Sequence, residues 1–207
     1  MKSLANHFLI AMPGLNDENF GHSVTLICHH DSEGAMGVVI NQPLDVSVAE
    51  LFNNAGLATA QLVHPGHPVW FGGPVRQEHL FVLHDSNHIW NNTLLINDDL
   101  CLTTSADFLE TLAEGQDPGK YLLALGCAGW APDQLEYEMS ENSWVYATAD
   151  NEVIFNTPAG DRWQAAARLA DIDLTKMSYY SCLLYTSDAA DDTQFVWVSG
   201  GGGWGGR

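Results

Sequence analysis

The chain has 207 residues, with 26 acidic against 7 basic side chains and a formal net charge of −19. With 46% hydrophobic residues it can bury a sizeable core, as one domain or two small ones, which excludes dominant disorder. No run reaches the ~18 uncharged apolar residues of a membrane-spanning helix. The apolar run at residues 8–13 is short and leads into Asn16, Asp17 and Glu18, unlike a secretory leader, so a cytoplasmic location is expected.

The bases are Lys2, Arg76, Lys120, Arg162, Arg168, Lys176 and Arg207, and none adjoins another. Nucleic-acid binding requires cations that displace phosphate counterions, so direct contact with DNA or RNA is not expected. An anionic membrane surface would repel the chain for the same reason. The acidity reads as a solubility device.

In chain order, residues 22–30 and 35–41 read as two strands around the turn Asp31-Ser32-Glu33-Gly34. Ser47-Val48-Ala49-Glu50 is a capping box that opens a short helix to about Asn54. Residues 57–67 form a loop. Residues 68–71 and 79–84 are strands on either side of Gly72-Gly73-Pro74-Val75, where paired glycines permit close backbone approach. Residues 93–96 and 100–104 are strands framing Asn97-Asp98-Asp99, and residues 105–113 are a helix with Phe108, Leu109 and Leu112 on one face. Residues 120–125 are the most hydrophobic strand, expected at the sheet centre and ended by Gly126. A helix follows from Pro132 to about Asn142. Residues 143–148 and 152–155 read as a hairpin around Asp150-Asn151. The last helix is capped at Asp161 and packs Trp163, Ala166, Ala167 and Ala170. This irregular order indicates an α+β (mixed) fold.

Cys28, Cys101, Cys127 and Cys182 lie far apart, so reduced thiols are expected rather than a disulfide framework or zinc site. All nine histidines precede residue 89 without a recognised ligand spacing. No Gly-Lys-Ser/Thr follows Gly126, so there is no Walker loop. No cofactor and no metal are expected. From residue 178 the character changes: the end is glycine-rich, and residues 181–192 resemble translated sequencing-adapter read-through. Residues 1–177 are thus expected as one domain, and residues 178–207 as a non-native tail.

Several segments together carry a resemblance. Residues 7–13, Gly34-Ala35-Met36-Gly37-Val38-Val39-Ile40-Asn41-Gln42-Pro43, Gly72-Gly73-Pro74-Val75, Phe81-Val82-Leu83-His84 and Leu125-Gly126-Cys127-Ala128-Gly129-Trp130 resemble the AlgH/YqgE family of bacterial proteins. So do Gln134-Leu135-Glu136, Asn142-Ser143-Trp144 and Asp161-Arg162-Trp163. The resemblance implies a bent, partly barrel-like, mostly antiparallel sheet flanked by helices. It implies no established reaction; one branch is named for transcriptional regulation of alginate synthesis. The chain departs from the family at His29, usually an acid, and at Cys127, usually Tyr. Cys127 sits between glycines before a helix, yet a residue replaced by Tyr is no nucleophile, so a core thiol is expected.

Gln134, Glu138 and Glu141 share one helix face. With Asn41, His84 and Trp130, the pair Gln134 and Glu138 forms the expected ligand-binding cleft. A noncatalytic binding or regulatory protein is the primary expectation, acting on an unknown protein or small molecule. The alternative is an enzyme using His84 with Glu138 as acid–base partners.

Overall fold

The computed structural model describes residues 3–173; the expected tail lies outside the described residues. Ten strands and five helices follow the order β1 (His7–Ala11), β2 (Val24–Asp31), β3 (Gly34–Val39), β4 (Pro43–Ser47), α1 (Val48–Asn54), β5 (Pro68–Phe71), β6 (Val75–Asp85), β7 (Thr93–Asn97), β8 (Leu100–Thr103), α2 (Asp107–Ala113), β9 (Tyr121–Trp130), α3 (Gln134–Ser140), β10 (Trp144–Thr148), α4 (Asn151–Phe155) and α5 (Ala159–Leu169). The fold is α+β. Its sheet runs β10-β1-β2-β3-β9-β6-β8-β7, with β5 on β9 and β4 on β5. It is bent and mostly antiparallel, β5–β9 being a parallel pair, and it is not closed into a barrel.

β9 organises the sheet. One edge pairs with β6 over Tyr121 to Cys127. The other pairs with β5 at Leu123 to Leu125, then with β3 at Ala128 to Trp130. The change of partner falls at Gly126, whose φ of +77° favours glycine. Here Gly72 bridges two strands: its carbonyl accepts from Val39 and its N–H donates to Leu125, both at 2.8 Å. A Cβ on Gly72 would stand 2.2 Å from the Gly126 carbonyl oxygen. The most hydrophobic strand therefore does not end at Gly126, as its sequence suggested; it bends there and continues to Trp130.

Local chemistry sets the helices. Ser47 and Glu50 form the expected capping box on α1, each bonded to the other's backbone N–H. Residues 152–155 belong to a helix, not a strand, because the Asp150 carboxylate accepts from Glu152 N–H at 2.8 Å and caps α4. Helix α5 begins at Ala159 after Pro158, one turn earlier than expected, and Asp161 lies in its first turn.

Three apolar clusters hold these layers. Phe8, Ile10, Leu26, Val38 and Leu83 pack beneath α4 and α5 with Ile154, Ala166 and Ala167. Leu9, Ile27, Ala128, Trp130 and Trp144 pack against Leu135 of α3. Phe52 of α1 and Phe108 and Leu112 of α2 cover Val69, Val82 and Leu123. Each fully buried large side chain contributes about 2–3 kcal/mol of transfer free energy. Among the described residues no helix is long and apolar enough to cross a membrane.

Candidate functional site

The end of β9, helix α3 and β10 bring Trp130, Gln134 and Glu138 together. Positions 134 and 138 lie one helical turn apart, on the face of α3 turned toward β9. Glu138 Oε2 accepts the indole N–H of Trp130 and that of Trp144, each at 2.9 Å. Glu138 Oε1 accepts from Gln134 Nε2 at 2.8 Å, and Gln134 Oε1 accepts from Ala131 N–H at 3.0 Å. The indoles are nearly sealed, with Trp130 7% and Trp144 5% exposed. Phe20 packs edge-on to Trp144 at 5.6 Å. Three donors thus converge on one carboxylate and clasp α3 to the sheet.

His84 lies apart from this clasp. His84 of β6 pairs with Tyr121 at the start of β9, whereas Trp130 ends that strand, up to about 30 Å further along it. The five residues expected to line one cleft therefore do not converge. Motif membership carries no distance, and β9 holds Tyr121, which pairs with His84, and Trp130 of the clasp at its opposite ends.

His84 is fully buried, edge-on to Trp90 at 4.7 Å. Its Nδ1–H donates to the Asp85 carbonyl at 2.7 Å, while Nε2 is buried without a partner. Burial holds this imidazole below the usual histidine range, against the smaller opposing pull of the Asp85 carbonyl. Asn41 follows β3 and bridges to the β2 end: its Oδ1 accepts from Val24 N–H at 2.8 Å and its Nδ2 donates to the His22 carbonyl at 2.9 Å. It works as a strand tie.

Cys127 lies inside β9, 5% exposed. Burial pushes its thiol up, opposed by the Arg76 guanidinium. This is the environment of a core thiol, not of an activated nucleophile. Among the described residues no group of three His, Cys, Asp or Glu side chains is arranged to hold a metal ion.

A different concavity opens between α4, α5 and the start of β9. Its volume is about 210 Å³, and its wall includes His67, Trp70, Tyr121, Phe155 and Arg162. Arg162 is only 5% exposed. Its Nε donates to the Thr157 carbonyl at 2.8 Å, its Nη1 donates to the Ile40 carbonyl, and its guanidinium carbon lies 4.3 Å from the Trp70 ring centroid. Burial draws its pKa down to about 10. The His67 imidazole stacks on His64 at 4.4 Å, and its pKa is lowered by burial and then by that neighbour. The Tyr121 hydroxyl is buried without a hydrogen-bond partner, and burial pushes its pKa up. Sequence reading missed this pocket. A signal was present: Arg162 stands one helical turn before Ala166, in line with the apolar stripe of α5, where a cation is out of place.

The open α+β sheet carries a tryptophan–carboxylate clasp at one end of β9 and an arginine-walled pocket at the other. The AlgH-like family model matches residues 8–175, and the chain belongs to that family. It is 45% identical over 175 residues to a UPF0301 protein of Methylococcus capsulatus, covering 84% of this chain and 93% of that protein. It is 46% identical over 178 residues to a UPF0301 protein of Xanthomonas campestris, covering 86% and 95% respectively. The solution structure of the AlgH protein from Pseudomonas aeruginosa superposes with a TM-score of 0.72 at 38% identity, covering 86% of this chain and 97% of that one. A crystal structure from Corynebacterium diphtheriae shares the fold, with a TM-score of 0.63 at 24% identity over 81% of this chain and 87% of that one.

Proposed function

We propose that this chain is a noncatalytic binding protein of the bacterial cytoplasm that works through a small ligand, with any influence on transcription indirect. The observation that carries this reading is the arrangement along β9. At one end Glu138 already accepts three hydrogen bonds. At the other, His84 is sealed among Trp90 and Phe108. An acid–base mechanism needs its two groups within hydrogen-bond reach of one substrate atom, and these two do not share a site. The concavity beside Arg162 offers recognition instead: an aromatic wall and a cation. Direct binding to nucleic acid forms no part of the reading, given a net charge of −19.

A metabolite screen by thermal shift, paired with product analysis, tests it. A ligand that raises the melting temperature without chemical conversion is the expected result. Turnover that disappears in His84→Ala or Glu138→Gln would establish the enzyme reading in its place. Tight, sequence-specific retention of DNA in a gel shift at physiological salt would also overturn the proposal.

A further inference from the structure

The unusual group in this molecule is Arg162. A buried guanidinium normally faces a carboxylate, because desolvating an unpaired charge is costly. The chain has acids to spare, 26 against 7 bases. Yet among the described residues Arg162 forms no ion pair: the three pairs present all involve histidines, His29 with Asp31, His30 with Glu136 and His79 with Glu78. Its protein partners are two neutral carbonyls and the face of Trp70. Those two carbonyls use Nε and Nη1, and among the described residues Nη2 forms no further hydrogen bond. The side chain is also rigidly held, since bonds to Ile40 after β3 and Thr157 before α5 fix it from two directions. A pre-positioned cation on the wall of a cavity, with donors to spare, is the arrangement that recognises an anion.

We infer that this pocket binds a small organic anion, its carboxylate or phosphate head on Arg162 and its short apolar body against Leu122, Ile154 and Phe155. The inference rests on the binding reading above and names the ligand class. At about 210 Å³ the cavity has the scale of a head group with a small ring or short chain. The Tyr121 ring packs on Phe108 and His67 with its hydroxyl buried, so Arg162 is the donor for the head. Burial already lowers the pKa of Arg162, and an anion beside it would oppose that cost.

The test titrates the full chain with benzoate, phenyl phosphate and uncharged benzamide. It follows the Arg162 Nε–Hε resonance and the melting temperature. At least one anion is expected to shift that resonance and to bind at least about tenfold more tightly than benzamide, a gap of about 1.4 kcal/mol. Arg162→Gln is expected to remove the preference for the anion while leaving weak benzamide binding. If that variant does not fold, discrimination by the wild-type chain decides. Whichever anion is preferred identifies the head group. Equal binding of benzoate, phenyl phosphate and benzamide would overturn the anion inference and leave the binding reading standing. Failure of both anions to move Arg162 would overturn it as well. Conversion of a bound probe to product would instead count against the noncatalytic reading.

Discussion

Glu138 accepts the indole N–H of Trp130 at 2.9 Å across the turn that joins β9 to α3. The same oxygen accepts from Trp144, at the start of β10. One side chain therefore satisfies two buried donors from neighbouring segments. Glu138→Ala leaves both indoles unpaired and is expected to cost about 2–4 kcal/mol. Glu138→Gln keeps an acceptor oxygen and should lose less. Urea unfolding followed by tryptophan fluorescence checks both variants. Equal stability of Glu138→Ala and the wild type would show that the clasp is not structural.

Asn41 makes a smaller tie. Asn41→Ala removes one acceptor from the Val24 N–H and one donor from the His22 carbonyl, an expected loss of about 1–2 kcal/mol. Hydrogen exchange should locate the effect, with the Val24 amide losing protection ahead of the β9 amides. Ligand binding beside Arg162 should be unchanged.

How much of this could be read in the sequence depended on how local the determinant was. The capping box at Ser47 and Glu50 is complete within four residues, and α1 ends at Asn54 as that reading placed it. Gln134 and Glu138 were legible as one helix face. Residues 152–155 were misread because Val153, Ile154 and Phe155 form an apolar run too short to show a period, leaving the Asp150 cap to decide. The triple pairing of β9 was illegible, since it depends on Gly72 of another segment meeting Gly126. His84 was grouped with the clasp through shared motifs, which say nothing of spatial separation. The Arg162 pocket joins three distant parts of the chain, with Trp70 and Tyr121 supplying its aromatic wall.

Gly72 offers a sharper test of the sheet. Gly72→Ala would drive a methyl into the Gly126 carbonyl at 2.2 Å, and the clashing atom is backbone rather than the end of a flexible side chain. The expected loss is about 4 kcal/mol or more, or failure to accumulate as folded protein. Gly14→Ala is the control, because a Cβ there meets nothing within 4 Å. Comparing melting temperatures and soluble yields of the two variants checks the prediction. Similar behaviour would refute the account of the β9 bend.

The buried imidazole of His84 predicts a pH dependence. Its folded-state pKa lies below the ordinary value of 6.5, so the unfolded chain takes up the proton first as pH falls. Stability from this group is fully present above 6.5 and declines as pH drops through that value toward the lower folded-state one. His67 shifts in the same direction and adds to the slope. The lowered carboxyls of Asp31 and Glu50 act in a separate window, near and below their ordinary values of 3.8 and 4.5. His84→Phe should flatten the upper part of the profile, between 6.5 and the carboxylate range. An unchanged slope in denaturant unfolding across that range would contradict the assignment.

The cysteines test whether β9 hides a reactive thiol. Cys28, Cys101 and Cys127 are all buried, and burial pushes each thiol up. Protonated and shielded, they should resist alkylation in the folded chain and react together once denaturant opens it. Mass spectrometry after a brief iodoacetamide pulse locates the modified positions. Rapid native labelling at Cys127 alone would indicate an activated thiolate in the bend of β9. That result would reopen a nucleophilic role at the Gly126–Trp130 segment, which its placement inside a paired strand now argues against. Labelling of Cys28, Cys101 and Cys127 only in the denatured chain is the expected outcome. It would also make Cys127→Ser a test of packing, at an expected cost of about 1–3 kcal/mol for burying a hydroxyl in place of the thiol.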